Sequence, residues 1–84
     1  MTINELIELR KAMGLTQSEL AKLIGLGLRA YQEIEGTDRD LKLRHIQAVE
    51  RVALREAVKQ GNPMLAPESV RRDALDLSRL IRGD

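Results

Sequence analysis

Thr16-Gln17-Ser18-Glu19-Leu20-Ala21-Lys22-Leu23-Ile24-Gly25-Leu26-Gly27-Leu28 is the stretch whose reading decides the fold. Thr16 and Glu19 stand at the capping-box spacing, in which each side chain satisfies an orphan amide of the other, so a helix begins at Gln17. It runs through Leu20, Ala21, Leu23 and Ile24 to Gly25, a residue suited to closing a helix. About two turns fit in that span. Gly25-Leu26-Gly27 then makes a tight corner with one apolar residue held between two glycines. A third short helix follows from Leu28 to about Glu35, closed by the polar run Gly36-Thr37-Asp38-Arg39-Asp40.

The same signals recur on either side. Thr2-x-x-Glu5 is another capping box and opens a first helix that ends near Met13-Gly14, with Ile3, Leu6, Ile7, Leu9 and Met13 at helical spacing. A longer helix is predicted from about Leu41 to Gln60, with Leu43, Ile46, Val49, Val52, Ala53, Ala57 and Val58 on or near one face. Gly61-Asn62-Pro63 stops it. A last helix starts at Ala66-Pro67, proline suiting a first turn, and carries Val70, Ala74, Leu77 and Ile81 at spacings of four, three and four, widened by Leu75 and Leu80. The chain thus divides into a unit over residues 1–60 and a helical arm over 61–84, with Gln60 to Ala66 as a hinge.

Composition sets the outer bounds. Eighty-four residues make one small domain, close to the size at which a core barely offsets conformational entropy. Leucine and isoleucine together number twenty and Tyr31 is the single aromatic residue, so the core is aliphatic; strand-forming runs are missing. The expected fold is all-α, a compact bundle of about five helices. With no cysteine and one histidine, disulfides, cysteine-based zinc sites and imidazole metal clusters have nothing to be built from; no histidine-carboxylate grouping or phosphate loop is visible either, and neither enzyme activity nor a cofactor is expected. The longest apolar run is too short for a membrane span and Met1-Thr2-Ile3-Asn4-Glu5 is not a signal-peptide start, so a soluble, cytoplasmic protein is expected. Fourteen basic against thirteen acidic residues give net +1, which makes any nucleic-acid argument a local one.

Locally there is such an argument. Two short helices joined by a glycine corner, with a small residue at their crossing (Ala21) and apolar anchors after it (Leu26, Tyr31, Ile34), are the arrangement a helix-turn-helix needs. Leu9-Arg10-Lys11-Ala12-Met13-Gly14-Leu15-Thr16-Gln17-Ser18-Glu19-Leu20-Ala21, continued by Leu23-Ile24-Gly25-Leu26 and Ile34-Glu35-Gly36, resembles the XRE family of helix-turn-helix proteins, of the phage lambda-type repressor and Cro kind. The resemblance covers roughly residues 3–58. Thr-Gln-x-x-Leu-Ala followed by Gly-Leu is its most specific part.

The resemblance implies a lambda repressor-like DNA-binding domain and assigns roles at matching positions. Gln17, at the start of helix two, matches the glutamine that hydrogen-bonds a DNA phosphate, with Ser18 and Gly27 beside it. Helix three matches the reading helix, placing Leu28, Arg29, Gln32 and Glu33 toward base edges: Arg29 for guanine, Gln32 for adenine, Glu33 for cytosine or to repel wrong sites, and Leu28 against a thymine methyl, with a packing or corner role as the alternative reading of Leu28. Arg39, Lys42 and Arg44 would meet a phosphate strand. Arg10 and Glu35 match an ion pair that fixes the reading helix's angle. The chain departs from the family where it has Gly27 in place of a Ser or Thr, Leu28 in place of a polar residue, and one residue fewer between Glu35 and Gly36.

Other features read more plainly. Residues 1–36 carry net −1 and residues 37–60 net +2, so the basic excess follows the reading helix. Tyr31 reads as core, its hydroxyl reaching a rim. His45 is read as solvated or phosphate-proximal on the polar side of helix four, and Arg51-Arg55-Lys59 as a solvated face. The stripe Val70, Ala74, Leu77 and Ile81 fits pairing across a two-fold axis, which would make a homodimer on a palindromic operator in double-stranded DNA; packing back on helix four is the alternative. A dimeric repressor is the leading expectation. An antitoxin-like or adaptor module directed at a protein partner is the second.

Overall fold

The structure is a computed structural model that describes residues 1–83; Asp84 lies outside the described residues. Five α-helices follow in order: α1 (Ile3–Ala12), α2 (Gln17–Leu23), α3 (Leu28–Glu35), α4 (Leu43–Gln60) and α5 (Glu68–Arg82), with a 3₁₀ turn at Pro63–Leu65 before α5. No strand occurs among the described residues. The all-helical expectation holds, and the molecule is elongated, 45 × 23 × 20 Å.

Local chemistry sets the helix ends. In both capping boxes the threonine hydroxyl accepts from the third backbone N–H, Thr2 from Glu5 and Thr16 from Glu19, each at 3.1 Å, and the glutamate returns the bond. At the other end of α2, Gly25 takes φ +78° and the chain closes in a Schellman motif: Leu26 N–H donates to Ala21 C=O at 2.8 Å and Gly25 N–H to Lys22 C=O at 3.2 Å. This closure turns the chain into α3 within three residues.

The core gathers Leu6 and Met13 of the first helix and its end, Leu20 and Ala21 of α2, Tyr31 of α3, and Val49, Val52, Ala53 and Ala57 of α4. Ala21, almost fully buried, is the small residue that lets α2 and α3 pack closely. Two helices as short as α2 and α3 have little stability alone, so this tertiary packing maintains them.

Four sequence expectations need correction. Helix α4 begins at Leu43, because Leu41 is already committed to the core from the preceding loop. Leu43 and Val58 are exposed, 67% and 77%. At about 100° per residue Val58 falls roughly half a turn from Val49, on the opposite face. The segment from Gln60 to Ala66 is an ordered turn: Leu65 and Ala66 are buried, the Asn62 side chain accepts from Met64 N–H, and Gln60 Nε2 donates to Met13 C=O at 2.9 Å. Pro67 caps α5 from outside.

Helix α5 buries no residue fully. Its stripe divides: Val70 packs against the core and Ala74 is half-buried beside Leu54 of α4, whereas Leu77 and Ile81 remain exposed together with Leu75 and Leu80.

The corner yields a paired prediction. A Cβ at Gly25 would meet nothing within 4 Å, so Gly25→Ala carries only the left-handed backbone cost, about 1 kcal/mol. Gly27 has φ −68° and open space, so Gly27→Ser should leave stability unchanged or raise it by a few tenths of a kcal/mol. Urea denaturation of the two variants checks both signs.

Candidate nucleic-acid interface

The centre of the site is the Glu35 carboxylate at the end of α3. Arg10 of α1 approaches it with two donors, Nε to Oε2 at 2.7 Å and Nη2 to Oε1 at 3.2 Å, and its remaining Nη1 donates to Leu15 C=O at 3.1 Å. Gln17, the first residue of α2, adds Nε2 to Oε1 at 2.9 Å. The Tyr31 hydroxyl donates to Oε2 from one turn earlier in α3. The side chains of Arg10 and Glu35 are 12% and 7% exposed, so the expected ion pair is present and largely shielded. Three helices thus meet at one anion.

Burial alone would raise the Glu35 carboxyl; the hydrogen bonds from Arg10, Tyr31 and Gln17 and the Arg10 charge outweigh it, leaving it below the ordinary 4.5. The phenol of Tyr31 is pushed well above its usual range by burial and by its bond to the carboxylate. Tyr31 itself is fully buried, so its hydroxyl serves this network and does not reach a rim.

The network extends outward. Gln32 Nε2 donates to Gln17 Oε1 at 3.2 Å, which joins the exposed face of α3 to the first turn of α2. Gln17 is therefore held by Glu35 on one side and Gln32 on the other, and Gln32, the residue assigned to adenine, comes to the surface already oriented. Leu28, Arg29 and Glu33 are exposed on α3, and Ser18 and Gly27 on the flanking backbone. Sequence spacing puts Leu28, Arg29, Gln32 and Glu33 on one short helix; it holds no sign of the Gln17–Gln32 bond or of the tyrosine donor.

Charge at the helix starts separates the elements into two groups. Glu5, Glu19 and Glu68 occupy the first turns of α1, α2 and α5, where the positive end of a helix favours acids. Helices α3 and α4 have no acid there. Instead α3 carries Arg29 at its second position, and α4 begins with Lys42 as its cap and Arg44 at its second position. Arg39, Lys42 and Arg44 are all exposed. The ion pairs among the described residues are Arg10–Glu35, Arg72–Glu68 and Arg79–Asp76, so none of these cations is neutralised by a carboxylate. The consequence shows in His45, half-buried in the first turn of α4: burial and then the Arg44 and Lys42 charges hold its pKa below 6.5. No group of three or more His, Cys, Asp or Glu side chains converges on a metal-sized site among the described residues, and no helix there is long and apolar enough to cross a membrane.

Removing the central carboxylate should be severe. Glu35→Ala leaves the Arg10 guanidinium shielded and unpaired, at a cost of about 3 kcal/mol, measurable as a fall in unfolding free energy. Because the folded-state pKa is depressed, this contribution is present above the unfolded value near 4.5 and is lost as pH falls through the lowered folded one. An acid titration of stability should therefore flatten in the Glu35→Gln variant below pH 4.5 relative to wild type.

Comparison with known proteins agrees with this geometry. Residues 6–52, from α1 into the middle of α4, match the helix-turn-helix family. No curated protein and no solved structure matches the chain. The matched segment contains the whole Arg10–Gln17–Tyr31–Glu35 network and both short helices, and the chain belongs to the XRE family of helix-turn-helix proteins.

Proposed function

We propose that this protein is a sequence-specific double-stranded-DNA-binding transcriptional regulator, acting as a homodimeric repressor on a palindromic operator. The observation that carries the reading is the pattern of charge at the helix starts. Cations placed against the positive ends of α3 and α4 cost stability, and an anion supplied from outside would offset that cost. In this reading α3 lies in the major groove with Leu28, Arg29, Gln32 and Glu33 toward the bases, and Arg39, Lys42 and Arg44 face the flanking phosphates. The backbone at Ser18 and Gly27 lies along the other strand. Gln17 contributes mainly by holding Gln32, with one amide hydrogen left for a phosphate.

The dimer reading rests on α5. The stripe Val70, Ala74, Leu77, Ile81 has the same spacing read in either direction. The half of it that α4 leaves uncovered, Leu77 and Ile81 with Leu75 and Leu80 beside them, would be buried against α5 of a second copy. The arm from residue 61 would then serve assembly while residues 1–60 bind DNA, and two reading helices would address half-sites about 34 Å apart. Occupancy of a site overlapping a promoter would be the means of repression.

Affinity selection from randomised duplexes tests the reading. A two-fold symmetric motif is expected. Arg29→Ala should relax one base position at a cost of about 1–3 kcal/mol, and Lys42→Ala should weaken all sequences alike and reduce the salt slope by about one. Leu77→Asp should give monomers in sedimentation and lose the symmetric motif. Absence of any motif well above micromolar protein would sink the DNA reading and favour a protein partner.

A further inference from the structure

Leu28 is an aliphatic side chain exposed where hydrogen-bonding groups are the usual readers. It opens α3 behind Gly27, which supplies no side-chain cap, and it is 43% exposed. It is not among the partly buried residues that pack on the core, which include its neighbours Ile24 and Ile34. Spacing gives its direction. Gln32 lies one turn further along the same strip of α3, and Gln32 is bound to Gln17 in the first turn of α2. Leu28 therefore shares the surface of α3 that borders the start of α2, the surface assigned above to DNA; the inference rests on that assignment.

We propose that Leu28 reads the 5-methyl group of a pyrimidine in the major groove, so that the protein discriminates DNA by C5 methylation, favouring thymine over uracil and 5-methylcytosine over cytosine. A leucine side chain has no donor or acceptor and does not register whether a pyrimidine carries an oxygen or an amino group at C4. It registers apolar surface, and the thymine methyl is the apolar group that unmodified base pairs present in that groove. 5-Methylcytosine carries the same group on the same ring carbon. One methyl taken out of water against an aliphatic side chain corresponds to about three- to fivefold in affinity.

The experiment uses the full chain and the duplex recovered by selection, with each thymine replaced singly by uracil, a change that removes the methyl and preserves base pairing. The expected result is one thymine per half-site at which uracil weakens binding about three- to fivefold, with the difference absent in Leu28→Ala. At that same position a 5-methylcytosine·guanine pair should bind more tightly than cytosine·guanine for wild type and equally for Leu28→Ala. Far-ultraviolet circular dichroism of the variant establishes that its helices are intact. Uracil equal to thymine at every position, or a methyl effect that persists in Leu28→Ala, overturns the proposal and leaves DNA binding standing. Failure to bind any duplex overturns both.

Discussion

The carboxylate of Glu35 is the constraint on which the rest of the structure depends. A shielded anion must have its lone pairs satisfied, and this one draws its donors from α1, from the first turn of α2 and from its own helix. Helices of seven and eight residues have too few internal bonds to set their own orientation. A shared acceptor does it for them: with Glu35 at one end of α3 and the Gly25 closure at the other, both the angle of the helix and the distance of its exposed face from α2 are determined. No buried polar side-chain atom is left without a partner among the described residues, so the network is complete within the protein before any ligand arrives.

Against this rigid interior stands a surface that breaks local rules. Three helices begin with acids, as the macrodipole favours, and two begin with uncompensated cations. Local rules are commonly violated where function requires it, and the two violating helices are neighbours in sequence around the 36–42 loop. The same contrast separates Arg10, whose charge is consumed in the interior, from Arg29, whose charge is presented outward. Net charge near zero conceals this division.

Much of the fold was legible because its signals are local. Threonine and glutamate three apart, and a glycine followed by a leucine, fix helix ends through backbone chemistry that needs no distant partner; α1, α2 and α3 began where these residues stand. The Arg10–Glu35 pair was legible through family likeness alone, since 25 residues separate its members. What spacing could not convey was which groups stand opposite one another. Val58 and Leu43 looked like core residues of α4 because they are apolar, yet the helix turns them away from it. Leu41, two residues before α4, was drawn into the predicted helix because the pattern records that it is apolar and not that a loop delivers it to the core. Tyr31 was assigned to the interior correctly, but the destination of its hydroxyl depended on a carboxylate one turn away whose own burial has no signature in the sequence.

That tyrosine has a further consequence. The protein has no tryptophan and no phenylalanine, so every near-ultraviolet transition of the folded chain arises from one phenol. In the native state this phenol is shut off from water and hydrogen-bonded to a carboxylate, and in the unfolded chain it is hydrated and free. The molecule therefore contains its own optical reporter, unlabelled and single-valued, placed at the junction that orients its exposed helix. Light absorbed or emitted by this residue follows the opening and closing of that junction without contribution from any other part of the protein.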